Sequence, residues 1–271
     1  MPDFILLPFM QRALIAGVVL AFILPFLGVF VTLRKMSFFS DGIAHASLAG
    51  IALGIISGLN PMNMALIVGV FFGISVYVLE RKTNVASDSV IGVIFTTGLA
   101  LGVILLSFQQ GYQPELISFL FGSILAVGSS DLYLIVAFSF FISLFLVRYL
   151  RDLTNITIDR DNAWLQGIPV AALELIFYIV LSMAIVLGVK LLGIILISAL
   201  LITPAATAKL VSPSFKRFVA ISIILGEISV VSGLALSYYF DLPSGAVIIL
   251  VNSLLFIFAL GITLFPKKAA V

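Results

Sequence analysis

Cysteine is absent from the 271 residues, so disulfide frameworks, thiolate zinc sites and cysteine nucleophiles are all excluded, and a metal would meet only oxygen and imidazole. Histidine occurs once, at His45. A single imidazole cannot furnish an H-E-x-x-H zinc helix and gives little basis for a nucleophile–histidine–acid set. No G-x-x-x-x-G-K-[ST] run is present either, so the chain has no P-loop of its own with which to bind ATP. Together these absences argue against hydrolysis by this chain alone. Charge is also scarce: Asp, Glu, Lys and Arg make up 10% of the residues and the formal net charge is +2. The basic residues are scattered in short loops rather than striped along a face, which leaves no footprint for nucleic acid.

What the chain does have is apolar surface. Hydrophobic residues reach 62% and the mean hydropathy is +1.31, more than one soluble core of this length can hide, so the solvent is lipid. Apolar windows of about 17–25 residues bounded by charges or turn residues mark helical spans. They fall near 13–33, 42–59, 62–79, 89–107, 131–149, 170–188, 191–208, 218–240 and 245–265. A shorter segment, 116–127, is interrupted by Gly122 and is expected to be re-entrant or interfacial. The N-terminal run lacks a basic n-region and an A-x-A cleavage site and continues apolar to Leu33, so it reads as a retained first span. With the N-terminus outside and the C-terminus in the cytoplasm, every Lys and Arg except Arg12 and Lys190 falls on the cytoplasmic side, in line with the positive-inside rule. The expected fold class is all-α, a polytopic transmembrane helical bundle of eight or nine spans forming a single membrane domain over residues 1–271.

Ionisable residues inside such spans are rarely bystanders. Asp41 and His45 stand at i and i+4 of the second span, a spacing that puts carboxylate and imidazole on one helix face within reach of one small cation. The packing alternative is that Asp41 caps the helix and His45 hydrogen-bonds a carbonyl between helices. Two ligands are too few for zinc, which usually takes four, but a homodimer apposing this face would supply two Asp and two His. The flanking Gly42, Ala44, Ala46 and Ser47 would permit close helix approach. Glu227 lies well inside another span and needs a partner or water, with a functional and a pairing role both open. Thr203 and Pro204 interrupt a small-residue run, either as a kink in a tightly packed helix or as a hinge beside a path. The longest polar stretch, Arg148 to Pro169, is either a solvated connector or a short amphipathic docking helix ending in glycine.

Five segments then carry a resemblance: Arg34 to Leu48, Ser87 to Gly92, Phe119 to Leu125, Gly193 to Thr207 with its Leu-Ile-Thr-Pro-Ala-Ala core, and Asp241 to Ala246. In this order they resemble the membrane permeases of bacterial ABC importers for zinc and manganese, most closely the high-affinity zinc-uptake permeases. The resemblance implies a homodimeric permease in the bacterial inner membrane, a cytoplasmic ABC ATPase dimer that binds and hydrolyses ATP, and an extracytoplasmic solute-binding protein that delivers the ion. It implies that Asp41 and His45 belong to the metal path, that no cofactor is permanently bound, and that zinc is the cargo, with manganese or iron as the alternatives. It also implies that Asp161, Ala163 and Gly167, within a coupling segment of about 150–169, seat the permease on the ATPase. No family motif covers Glu227. An ion-coupled secondary carrier, which calls for several paired carboxylates near the midplane, and an intramembrane hydrolase are the competing classes.

Overall fold

The computed structural model describes residues 7–83, 85–108 and 124–264. Their elements are α-helices α1 (Pro8–Leu33), α2 (Phe39–Ser57), α3 (Pro61–Lys82), α4 (Ser87–Ser107), α5 (Ser129–Ile158), α6 (Arg160–Leu165), α7 (Val170–Leu192), α8 (Ile194–Val211), α9 (Phe215–Phe240) and α10 (Ser244–Leu264), with one 3-10 turn at Ile124–Ala126. No strand occurs among the described residues. All of these helices but α6 are long and apolar enough to cross a membrane, nine candidate spans in the positions that hydropathy marks. The chain is thus a polytopic helical membrane protein. Most of the expected re-entrant segment 116–127 lies outside the described residues; only its end, in the 3-10 turn, falls within them.

The described residues within Leu33–Gly122 and Ala137–Ile197 form one compact unit, which carries the candidate site. Its centre is α2, packed by α3, α4 and α7. A helix surrounded in this way needs small side chains, because in lipid close packing and interhelical hydrogen bonds, not water exclusion, hold helices together. A Cβ at Gly50 would stand 2.7 Å from the Ala65 Cα, and one at Gly98 of α4 would stand 2.7 Å from the Ala46 Cα. The small residues flanking His45 therefore do permit close helix approach. The α2–α3 connection is fixed at both ends. Gly58, at φ +67°, takes the left-handed conformation that ends α2, and Leu59 N–H donates to the Gly54 carbonyl at 2.9 Å. Asn60 then caps α3, accepting from Met62 N–H at 2.9 Å, ahead of Pro61 at the first helical position.

In this unit α5 continues past the apolar window that ends near 149, as far as Ile158. Leu146, Leu153 and Ile156 are all buried, and this recurrence at helical spacing anchors the charged extension although its other faces are polar.

The second compact unit comprises the described residues within Met1–Thr32, Ser123–Val136 and Ser198–Val271. Pro25 removes a backbone donor from the middle of α1. Gly226 of α9 accommodates the site: a Cβ there would stand 2.6 Å from the Pro25 ring and 2.9 Å from the Ala21 carbonyl oxygen. Ser222 donates to the Pro25 carbonyl at 3.1 Å. Further along, Ser229 of α9 bonds Asn252 of α10 at 2.7 Å, and Arg12 Nε donates to the Val127 carbonyl at 3.0 Å.

Candidate metal site and coupling segment

Asp41 and His45 lie one turn apart at the start of α2. Phe38 occupies the cap position and Asp41 falls in the first turn, where the helix dipole favours a carboxylate. Both residues line one open cavity of about 370 Å³ together with Phe38 and, from α4, Asp88, Ile91, Gly92 and Phe95. The Phe95 ring meets the imidazole edge-on, with centroids 5.0 Å apart and planes at 84°. His45 is half-buried, and its Nδ1 is buried with no hydrogen-bond partner. The interhelical bond that a packing role asks of His45 is therefore not made at that nitrogen. Gly42 keeps the two helices close here, since a Cβ would stand 3.1 Å from Ile91 Cγ2.

Asp88 is the residue that sequence reasoning passed over. It is the second residue of α4 and exposed, and it brings a second carboxylate to the cavity. Its legible signal was an acidic residue in the first turn of a span that begins on the same expected side of the membrane as α2. Among the described residues no group of three His, Cys, Asp or Glu is gathered closely enough to hold a metal ion, so the cavity offers the Asp41/His45 pair and, across it, a carboxylate that does not close a ligand set within one chain.

Glu227 is half-buried on α9 and makes no hydrogen bond or ion pair among the described residues. Pro204 lies inside α8, which stays helical through it, and the Thr207 hydroxyl donates to the Thr203 carbonyl at 2.7 Å. The small residues there pack tightly: a Cβ at Gly28 of α1 would stand 1.8 Å from the Leu201 carbonyl oxygen.

Much of the polar stretch 148–169 is helical. After α5, Asp159 caps α6 by accepting from Asn162 N–H at 3.0 Å. Gly167, at φ +80°, closes it: Gly167 N–H donates to Trp164 and Ile168 N–H donates to Ala163, at 2.9 and 3.2 Å. Arg160 reaches Glu174 of α7 at 3.4 Å. Within this segment Asp161 and Gly167 face outward, whereas Ala163 is buried against the chain. The outward apolar side chains are Trp164 and Leu165, and Trp164 borders an open cleft of about 420 Å³ with Gly167 and residues 168–172. A lone tryptophan in a polar connector was the signal available for that exposed position.

Set beside known proteins, residues 6–263 match the ABC 3 transport family. The chain is 34% identical over 260 residues to the manganese transport system membrane protein MntC of Halalkalibacterium halodurans, covering 96% of this chain and 88% of that protein. It is 32% identical over 248 residues to the high-affinity zinc uptake system membrane protein ZnuB of Haemophilus influenzae, covering 92% and 95% of the two chains. Its structure matches PsaBC from Streptococcus pneumoniae in complex with Fab, with a TM-score of 0.83, 32% identity and coverage of 98% of this chain and 95% of that one.

Proposed function

This chain belongs to the ABC 3 transport family, and from that premise we propose that it is the permease that passes a divalent metal ion, zinc foremost, into the cytoplasm of a bacterial cell. The observation that carries this reading is the shared cavity, in which Asp41 and His45 of α2 stand with Asp88 of α4. Imidazole and carboxylate are donors for first-row divalent ions. A second copy of the chain, related by a two-fold axis, would double the Asp41/His45 pair to four protein ligands, the number zinc usually takes.

Since the chain has no P-loop, ATP binding and hydrolysis fall to cytoplasmic ATPase subunits. Segment 159–169 seats the permease on them, through the exposed Trp164 and Leu165 and the outward Asp161 and Gly167, while buried Ala163 holds α6 against the rest of the chain. An extracytoplasmic metal-binding protein delivers the ion. The N-terminus is outside and the C-terminus in the cytoplasm. In support of one shared side, Arg34 after α1 bonds Thr157 near the end of α5 at 3.3 Å, and Tyr77 near the end of α3 bonds the Ala171 carbonyl at the start of α7 at 2.9 Å. Thr203 and Pro204 lie in a tightly packed length of α8, and Glu227 is a second contact for the ion.

Manganese is the second reading, favoured by Asp88. A further carboxylate makes the cavity richer in hard oxygen donors, which suit Mn²⁺ better than Zn²⁺. The test is complementation in a bacterial strain stripped of its own zinc and manganese importers. Asp41→Ala and His45→Ala are each expected to abolish uptake of the cargo ion while the protein still reaches the membrane. Parental uptake of both ions by both variants would refute the site.

A further inference from the structure

We propose that Glu80 and Tyr178 form a polar clamp that positions the start of α2, and through it Asp41, at the cation cavity. The inference rests on the reading of that cavity as the cation path. Glu80 stands near the end of α3 and accepts a hydrogen bond from the Tyr178 hydroxyl of α7. That hydroxyl also lies 3.4 Å from the Met36 sulfur, just ahead of α2. The Tyr178 ring meets Phe39, the first residue of α2, edge-on at 5.6 Å and 86°. Met36 and Phe39 are 1% and 0% exposed, so one aromatic side chain touches both residues that fix where α2 begins, two positions ahead of Asp41.

Arg34, two residues ahead of Met36, is held by contacts of its own. Its guanidinium lies 4.9 Å over the Phe177 ring, and its Nε donates to Thr157 of α5 at 3.3 Å. Burial pulls its pKa below the ordinary arginine value, against the opposing pull of Tyr178, Glu174 and Glu80. Arg34 Nη2 and Glu80 Oε1 are nevertheless both buried without a hydrogen-bond partner. Stability alone gives little reason for such a cluster, since well-packed apolar groups of the same volume often serve as well or better than buried charges. A directional network fixes geometry instead. Here Tyr178 touches Phe39, the first residue of the helix that carries Asp41 and His45.

Tyr178→Phe is the decisive variant, because it keeps the ring packing and deletes only the donor. In the full chain, assembled with its ATPase and binding-protein partners in proteoliposomes, the variant is expected to lower zinc or manganese uptake per ATP hydrolysed by about tenfold. ATP hydrolysis should stay at the parental value, while the melting temperature of the complex falls slightly because the Glu80 carboxylate loses its donor. Uptake per ATP at the parental level would overturn the clamp. A metal-free readout separates this from the cation reading. The chain has no natural cysteine, so maleimide labelling at Ser37→Cys, between Met36 and Phe39 and half-buried, reports the start of α2 alone. Tyr178→Phe should change that rate by about tenfold and leave the rate at Ile158→Cys unchanged. Equal rates at Ser37→Cys with and without Tyr178→Phe would refute the clamp. A changed rate combined with normal transport by Asp41→Ala and His45→Ala would leave the clamp standing and refute the cation path.

Discussion

The cavity on α2 and α4 shelters ionisable groups among phenylalanine, isoleucine and glycine, whereas the segment after α5 holds Ile158, Trp164 and Leu165 outward at 78%, 69% and 75% exposure beside Asp159, Arg160 and Asp161. One region places charge where the surroundings are apolar, and the other places large apolar groups in the most polar stretch of the chain. Each arrangement carries a cost that packing alone does not justify. On the proposed function the first would receive a cation that can meet carboxylate and imidazole, and the second a protein surface that can cover an indole. Recognition of the cargo and docking of the driving subunits would then be separate, and the two should fail independently.

The largest expected effect lies on the docking side. Trp164→Asp combined with Leu165→Asp should weaken binding of the ATPase subunits by about a hundredfold, as loss of buried aromatic and aliphatic anchors does, measured by co-purification and stimulated ATP hydrolysis. Membrane insertion should be unaffected. Next comes the packing that supports the cavity. Gly98→Val drives a side chain into Ala46, the neighbour of His45, and should cost about 2 kcal/mol of stability, read as a lower melting temperature in detergent along with reduced uptake. Asp88→Ala should lower manganese uptake by about tenfold and zinc uptake by less, because it removes a hard oxygen donor and leaves the imidazole; equal losses for the two ions would remove Asp88 from the selectivity of the cavity. The smallest effect is at Gly167. Gly167→Ala should cost about 1 kcal/mol, the strain of a Cβ at a left-handed position, and loosen α6 without changing the cavity.

Hydropathy made nine spans legible because lipid imposes length and apolar content on every crossing helix. The Asp41/His45 pair was legible for a related reason, since a polar pair at helical spacing stands out against an apolar run. Contacts between distant positions left no such mark. Glu80 and Tyr178 are 98 residues apart, and nothing in either local pattern names the other. Ala163 shows a different limit: a small residue suits either a partner's surface or the chain's own interior, and here it is 1% exposed. At Pro204 the sequence allowed a kink or a hinge; α8 is helical on both sides of the proline and packs closely on α1 at Gly28. The extension of α5 to Ile158 escaped the apolar window because only one face of that extension is buried.

The most direct test of the central claim is uptake of radioactive zinc and manganese by proteoliposomes holding the complete complex, with ATP hydrolysis followed in the same vesicles. With Asp41→Ala and His45→Ala, ATP hydrolysis is expected to continue while uptake of the cargo ion falls to about one hundredth of the parental rate, the scale of losses at metal sites. Parental uptake of both ions by both variants, at unchanged ATP hydrolysis, would contradict the account.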